Sequence, residues 1–174
     1  ELAKLLNGYL DGMTNIVMKH GGMVDKFIGD AVFAIFNAPI DLPGHAAKAV
    51  CCMLELDDFA QRYRAEQQAA GIPLGVTRIG VHSGVAVVGN FGSHARFTYT
   101  ASGDAVNTAA RIEGINKYLG TRLCVSESVR QQCDEMGFRP AASVVLKGKS
   151  EALDLWEPLQ DPAPDAFLAA YCQA

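Results

Sequence analysis

Residues 23 to 36 of the chain read Met-Val-Asp-Lys-Phe-Ile-Gly-Asp-Ala-Val-Phe-Ala-Ile-Phe, and this stretch decides the fold class. Its two halves, 23–28 and 31–36, are rich in Val, Ile and Phe and are separated by Gly29-Asp30. β-Branched and aromatic runs on either side of a Gly-containing turn are typical of a β-hairpin. The sequence therefore predicts two paired strands joined at Gly29-Asp30.

Two amphipathic helices are predicted on either side of this hairpin. Before it, apolar residues recur at helical spacing over 2–17, and the pattern stops at Gly21-Gly22, a typical helix end. After it, a loop over 37–43 with two prolines leads to a second helical pattern over 46–63 that ends before Gly71. The first half of the chain thus predicts a helix, a hairpin and a helix.

The second half of the chain alternates short strands with helices. A strand pair is expected at 77–82 and 85–89, around Ser83-Gly84. The further predicted elements are a strand at 96–100, a helix from Gly103-Asp104 to Tyr118, a strand at 123–125, a helix capped by Ser126 and running through Cys133, and strands at 143–147 and 153–156. This alternation indicates an α/β or α+β class with a mixed sheet.

Composition excludes several classes of function. The 174 residues carry a net charge of −4, so there is no broad basic field for nucleic acid or anionic lipid, and an anionic ligand requires a local site. No apolar run approaches the roughly 20 residues of a membrane span. The five cysteines form no C-x-x-C pair and are read as structural, which favours a reduced, cytoplasmic compartment.

Two charged residues of the predicted hairpin are candidates for chemistry. Asp30 lies in the tight turn, where a carboxylate suits a hard cation such as Mg²⁺, although Gly-Asp is also ordinary turn chemistry. Lys26 is expected to share a strand face with Val24 and Ile28, although an edge strand whose lysine extends to solvent explains it equally. Asp25 is expected on the opposite strand face.

A second set of candidates lies around the helix that begins at Gly103-Asp104. Asn107 and Arg111 are four residues apart, so their side chains lie about 40° apart around the helix axis and about 6 Å apart along it. Such a pair can address one polyphosphate, because preorganised donors act where charge develops, but a solvent-facing polar pair has the same spacing. Thr98 alone is an ordinary β-branched strand residue.

Lys147-Gly148-Lys149-Ser150 is similar to the end of a P-loop, but that assignment fails. The first glycine of the motif would fall at position 143, which is Ser, and no helix is predicted to follow. Two lysines beside a glycine can neutralise a phosphate, and they can equally be solvated turn residues. The four histidines show no metal-ligand spacing and receive no role.

Four stretches, taken in order, closely resemble the catalytic domain of class III nucleotidyl cyclases. They are 24–31 (VDKFIGDA), 80–84 (GVHSG) with 88–92 (VGNFG), 99–111 (YTASGDAVNTAAR) and 146–149 (LKGK). Four ordered motifs are far more specific than any single one. The resemblance covers residues 1–157, expected to be the catalytic domain, and leaves 158–174 as a linker or tail.

This resemblance implies an α+β fold, a ferredoxin-like βαββαβ core with additional strands, that works as a head-to-tail homodimer with its sites at the interface. It implies attack of the ribose 3′-hydroxyl of ATP on the α-phosphate, with release of pyrophosphate and participation of two divalent ions, Mg²⁺ or Mn²⁺. It also implies an upstream sensor or regulatory domain in the parent protein.

The resemblance also assigns roles to individual residues. Asp30 matches the second of two metal-binding aspartates, Lys26 and Thr98 the purine-selecting pair, Asn107 and Arg111 the transition-state pair, and Lys147 the triphosphate-binding lysine. In the family's geometry Asp30 comes from one protomer and the other five residues from its partner. A Lys/Thr pair resembles an ATP site, and the branch with this threonine includes bicarbonate-responsive cyclases.

The family's first metal-binding aspartate has no counterpart in this chain. It belongs to an earlier strand, in a segment like Phe-x-Asp-x-x-Gly-Phe-Thr, and neither Asp11 in the first helix nor Asp25 replaces it. We therefore expect an N-terminally truncated domain that lacks the first strand and is impaired as a cyclase. The leading hypothesis is an adenylate cyclase; the alternatives are a noncatalytic cyclase-homology module that binds nucleotide or a partner domain, and a guanylate cyclase.

Overall fold

The structure is a computed structural model that describes residues 2–93, 95–148 and 150–159. These residues form four helices and eight strands. In chain order they are α1 (Leu2–Lys19), β1 (Met23–Ile28), β2 (Ala31–Ile35), α2 (His45–Ala69), β3 (Ile79–Val81), β4 (Val87–Ser93), β5 (Arg96–Ser102), α3 (Asp104–Leu119), β6 (Leu123–Ser126), α4 (Glu127–Arg130), β7 (Phe138–Val145) and β8 (Ala152–Pro158).

The predicted hairpin is confirmed, with one irregularity. Strands β1 and β2 pair antiparallel, with Ile28 opposite Ala31 beside the turn. The register shifts between Val24 and Lys26, so Asp25 is an extra residue in β1 with no partner on β2. Such a bulge breaks the simple alternation of faces along a strand.

The predicted pairing of the 77–82 and 85–89 strands is wrong. Strand β3 pairs parallel with β6, and α3 lies between these two strands in the sequence as their crossover. Gly80 permits this arrangement, since a Cβ there would lie 2.3 Å from the backbone nitrogen of Glu113 in α3. Strand β4 pairs instead with β5, in an antiparallel hairpin where Gly89 faces Thr100.

The helix predicted from Ser126 through Cys133 is much shorter than expected. It contains four residues and ends at Arg130. The Ser126 side chain makes no cap hydrogen bond, because its hydroxyl lies 2.8 Å from His82 Nδ1 and 3.0 Å from Ser128 Oγ. The predicted tail over 158–174 lies outside the described residues from position 160 on.

The core is built on both faces of β6. Leu123 and Val125 pack with α2, while Cys124 packs with α3 and with Leu155 of β8. A strand covered on both faces is typical of the parallel part of a sheet. Helices α1 and α2 also enclose a cluster with the β1–β2 hairpin, which includes Val17.

The described strands form three separate sheets: β1–β2, β3–β6–β8–β7 and β4–β5. Two cavities, of about 670 and 410 Å³, are both lined by Val32 and Phe33 of β2 and by Ile79 and Gly80 of β3. Strands β2 and β3 therefore face one another across open space. Among the described helices, none combines the length and apolarity that crossing a membrane requires.

Four of the five cysteines lie buried as thiols within the described residues: Cys51, Cys52, Cys124 and Cys133. Burial raises the pKa of the Cys133 thiol to about 11, with the nearby charge of Asp134 as a second cause. These thiols occupy the core, as small apolar side chains do. Cys172 lies outside the described residues.

Candidate functional site

The tip of the β1–β2 hairpin presents Asp30 to solvent. Gly29 turns the chain there with φ of 66°, in the left-handed region that glycine adopts without strain. Asp30 and Lys26 line the same cavity, the larger of the two. Asp30 also acts on Tyr9, whose pKa is raised by burial first and by the charge of Asp30 to a lesser extent. The structure therefore places these two predicted site residues on one surface.

A buried carboxylate lies at the centre of a second group of polar side chains. The Asp25 side chain is 0% exposed, and its Oδ2 lies 3.3 Å from Lys26 Nζ. The same oxygen accepts a 2.5 Å hydrogen bond from the Thr100 hydroxyl on β5. A single oxygen thus links β1 with β5 and holds an ammonium and a hydroxyl beside each other.

Asp25 and Lys26, which are predicted on opposite strand faces, lie at the bulge in β1. The register shift leaves Asp25 without a partner on β2 while Lys26 opposes Phe33, so the regular alternation of faces is interrupted at this point. The Lys26 side chain remains 42% exposed while the Asp25 side chain is fully buried. At the bulge, Lys26 therefore presents a solvent-accessible ammonium next to the buried carboxylate of Asp25.

Thr100, which sequence reasoning missed, lies closer to this group than the predicted Thr98. Thr98 is exposed and sits opposite Phe91 on β4. Thr98 and Thr100 are two residues apart on one strand, so both point to the same face and alternation cannot separate them. The hydrogen bond from Thr100 to the carboxylate beside Lys26 distinguishes them. A usable signal in the sequence was Asp25, an acidic residue in an otherwise apolar run.

Asn107 and Arg111 lie on α3, as predicted. Asn107 is exposed and Arg111 is half-buried. A Cβ added to Gly148 would lie 4.0 Å from Arg111 Nη2, so the guanidinium is next to the turn between β7 and β8. Lys147 is exposed in this same turn. The structure therefore brings a guanidinium and a lysine-bearing turn together.

Contacts with β3 fix the position of α3. Asn116 is fully buried, and its Nδ2 donates to the backbone oxygen of Ile79 at 3.1 Å. The Thr121 hydroxyl donates to the other side of the amide, Asn116 Oδ1, at 2.7 Å. Together with the close approach at Gly80, these bonds hold the helix that carries Asn107 and Arg111.

The acidic residues present make an incomplete metal site. Among residues 2–93, 95–148 and 150–159, no group of three or more His, Cys, Asp or Glu side chains could hold a metal ion. Asp30 supplies one exposed carboxylate. Mg²⁺ in phosphate-binding sites takes one or two carboxylates along with phosphate oxygens and water, so Asp30 fits as one ligand. These residues do not by themselves make a site for two ions.

Known proteins share the sequence pattern of this chain. The family described as "Adenylate and Guanylate cyclase catalytic domain" matches residues 1–156. Adenylate cyclase 1 of Rhizobium meliloti is 42% identical over 158 residues, which are 90% of this chain and 24% of that protein. Adenylate cyclase of Anabaena cylindrica is 37% identical over 162 residues, 90% of this chain and 32% of that protein. The chain spans less than a third of the length of these curated relatives.

Solved structures show the same fold. The adenylyl cyclase CyaB from P. aeruginosa superposes with a TM-score of 0.85 at 29% identity, covering 93% of this chain and 84% of that one. The predicted α+β cyclase fold is confirmed by this match. The recognition drawn from the four sequence motifs is confirmed as well, because the matched family model covers most of the chain. The chain belongs to the adenylate and guanylate cyclase catalytic domain family.

Proposed function

We propose that this chain is the catalytic domain of an adenylate cyclase, a phosphorus-oxygen lyase that converts ATP to 3′,5′-cyclic AMP and pyrophosphate in signal transduction. The observation that carries the choice of ATP is the pairing of Lys26 and Thr100 through Asp25. The two curated relatives compared above are both named adenylate cyclases. Cyclase domains bind nucleotide substrates, and the hydrogen-bonding groups of the site determine which base is recognised.

The base is read by complementary hydrogen bonds. Adenine presents a ring nitrogen that accepts and an exocyclic amine that donates, whereas guanine presents a ring N–H and a carbonyl at the matching positions. Lysine can only donate, so Lys26 suits the adenine ring nitrogen. The threonine hydroxyl accepts from the amine. We assign this second role to Thr100 in preference to Thr98, because Thr100 shares the carboxylate beside Lys26.

The phosphates are bound at the other end of the site by Asn107, Arg111 and Lys147. In the reaction the ribose 3′-hydroxyl gives up its proton to water and its oxygen forms a bond to the α-phosphorus, while the bond from that phosphorus to the bridging oxygen breaks and pyrophosphate leaves. Negative charge builds on the α-phosphate oxygens and on the leaving group as this happens. Arg111 and Asn107 donate hydrogen bonds to those oxygens, and Lys147 neutralises the triphosphate.

Cyclase catalytic domains generally use divalent metal ions. We propose Mg²⁺ or Mn²⁺, two ions in a complete site, with Asp30 as one protein ligand. Bound there, the metal stabilises charge on the phosphate oxygens. Asp30 is the one carboxylate among the described residues that we assign to the metal, and this single ligand motivates the alternative of a noncatalytic module that binds nucleotide.

A head-to-tail homodimer is the proposed assembly. Large apolar side chains are exposed along the β4–β5 hairpin and the neighbouring β1: Val87 is 67%, Phe97 62% and Ile28 64% exposed. Large apolar side chains exposed on neighbouring strands are typical of an interface. A second copy would cover it and place Asp30 of one protomer opposite the nucleotide-binding residues of its partner.

The longer protein is proposed to join this domain, residues 1–157 with a tail over 158–174, to an upstream sensor or regulatory domain in the cytoplasm. The two matched relatives are long enough to contain a further domain, since the chain spans less than a third of their length.

The test is production of cyclic AMP and cyclic GMP from ATP and GTP with Mn²⁺, for this chain and for one extended upstream through the next strand. We expect cyclic AMP from the extended chain and far less from this one. Asn107→Ala or Arg111→Ala in the extended chain should lower turnover at least about 100-fold without changing the melting temperature. Nucleotide binding without turnover by the extended chain would favour the noncatalytic module, and cyclic GMP as the main product would favour a guanylate cyclase.

A further inference from the structure

We infer that Asp25 is a specificity-positioning residue: its buried carboxylate fixes the Thr100 hydroxyl as a hydrogen-bond acceptor for the ligand and aims Lys26, so that the site favours an adenine edge. This inference rests on the proposed function. The role of Asp25 is separate from metal binding and from the phosphate chemistry.

The bulge in β1 creates the arrangement. In a regular strand Asp25 and Lys26 would each have a partner on β2, but the register shifts between Val24 and Lys26, so Lys26 opposes Phe33 and Asp25 has no partner there. The carboxylate is buried while the lysine keeps 42% of its side chain exposed. Asp25 is thus buried behind the exposed Lys26, so it acts through that lysine and through Thr100, which is itself 9% exposed, rather than on the ligand.

The hydrogen bonding of this carboxylate is unusual for a structural residue. Its Oδ2 serves both Lys26 and Thr100, whereas its Oδ1 is buried with no hydrogen-bond partner among the described residues. Leaving a buried acceptor unpaired lowers stability. Asp57 shows the contrast: its two carboxylate oxygens receive three hydrogen bonds, two from Arg122 and one from Gln61. Within the described residues, Asp25 Oδ1 therefore lacks the hydrogen bonds that both oxygens of Asp57 receive.

The chemical consequence lies in the direction of the hydroxyl proton. A free threonine hydroxyl both donates and accepts, so it binds an amine and a carbonyl equally well. An ionised carboxylate can only accept, so the hydroxyl of Thr100 must point its hydrogen at Asp25 Oδ2, 2.5 Å away. The lone pairs that remain on Thr100 accept from an amine but repel a carbonyl oxygen. The same carboxylate restrains the ammonium of Lys26, which has two further N–H groups for the ligand.

Inosine triphosphate is the sharpest probe, because it differs from ATP only at the 6-substituent and at the adjacent ring nitrogen. The experiment measures kcat/KM for ATP and for inosine triphosphate in the extended chain, together with the binding of each nucleotide by calorimetry. Asp25→Ala frees the hydroxyl and should lower the ATP preference by about tenfold, chiefly through KM. In Asp25→Asn the side-chain amide offers one acceptor, its oxygen, and Lys26 can only donate. Lys26 should therefore hold that oxygen on the side that faces Thr100, and most of the ATP preference should remain.

A double-mutant cycle and a control separate positioning from folding. Thr100→Val should lower the same preference, and adding Asp25→Ala to it should change the preference by less than Asp25→Ala does in wild type, because the carboxylate acts in part through the hydroxyl. Asp57→Asn, at a buried carboxylate of the α2–β6 region, should lower the melting temperature and leave the preference within about twofold of wild type. If Asp25→Ala does not fold, Asp25→Leu, which fills the site but accepts no hydrogen bond, takes its place in the cycle.

The outcomes distinguish this inference from the proposed function. An unchanged ATP preference in Asp25→Ala, or effects of Asp25→Ala and Thr100→Val that add in full, would overturn the role of Asp25 while the cyclase assignment stands. Wild-type protein that neither binds ATP nor converts it would overturn the proposed function, and the role of Asp25 with it.

Discussion

Replacing Gly80 with Ala should displace α3 and thereby impair both stability and phosphate chemistry. Gly80 lies in β3, where the strand passes directly beneath the helix that carries Asn107 and Arg111. A Cβ at this position would lie 2.3 Å from the backbone nitrogen of Glu113 and 2.8 Å from the backbone oxygen of Ala109. Backbone atoms inside a helix cannot rotate away as the end of a side chain can.

The magnitude follows from the size of this overlap. The shorter distance falls about 1.1 Å below the 3.4 Å at which ordinary contact begins. Overpacking of this kind costs about 1–3 kcal/mol, and we expect the upper part of the range since the neighbours are backbone. For a domain of this size, about 2–3 kcal/mol lowers the melting temperature by roughly 4–12 °C. Displacing a catalytic side chain by about 1 Å can lower turnover about 100-fold.

Two other glycines provide matched controls. Gly114 lies on the same helix and Gly75 in the loop before β3, and an added Cβ meets nothing within 4 Å at either position. Gly114→Ala should stabilise the protein by about 0.5–1 kcal/mol, because alanine favours a helix, and Gly75→Ala should change little. Urea denaturation monitored by circular dichroism measures all three. A Gly80→Ala protein with the midpoint and turnover of wild type would refute the packing argument.

Three further predictions concern charges and thiols away from the site. Burial tends to raise the pKa of Glu55, but hydrogen bonds from Lys19 and His20 outweigh it and lower the pKa overall. The stabilisation is therefore present above the ordinary glutamate pKa and is lost as pH falls through the lowered pKa of Glu55. Glu55→Gln should lower the free energy of unfolding by about 0.5–1 kcal/mol at pH 7 and should have no effect near pH 2. Urea denaturation at each pH measures this difference. Arg122→Met should cost about 2 kcal/mol in the same assay, because it leaves the buried Asp57 carboxylate with Gln61 alone; full stability would contradict that pairing. Burial raises the pKa of the Cys133 thiol to about 11, so native protein at pH 8 should resist iodoacetamide at Cys133 until urea unfolds it, as read by peptide mass spectrometry.

Much of the fold could be predicted from local sequence patterns. The β1–β2 hairpin, α1, α2 and α3 all follow from hydrophobic periodicity with glycines at their ends, and their observed bounds lie close to those expected. These signals are local, since each element carries its own apolar face and its own stop. The family motifs then added the topology, which periodicity does not contain.

The errors arose where pairing depends on residues far apart in sequence. Strand β3 is three residues long, and only its contact with β6 and α3 shows that it pairs away from β4. The bulge at Asp25 depends on the register between two strands, which simple alternation along β1 does not reveal. The choice between Thr98 and Thr100 depends on a hydrogen bond spanning 75 residues. Short-range patterns contain none of this information.

The same contacts couple the two ends of the proposed site. Thr100 lies on β5, and this strand is joined to α3 by Gly103 alone, with φ of 143°. Asn107 follows within the first turn of the helix. A base that fits between Lys26 and Thr100 would therefore restrain the strand that leads directly into α3, the helix proposed to bind the phosphates. A base that fits poorly leaves this strand less restrained, so discrimination at the base is expected to extend to turnover as well as to binding.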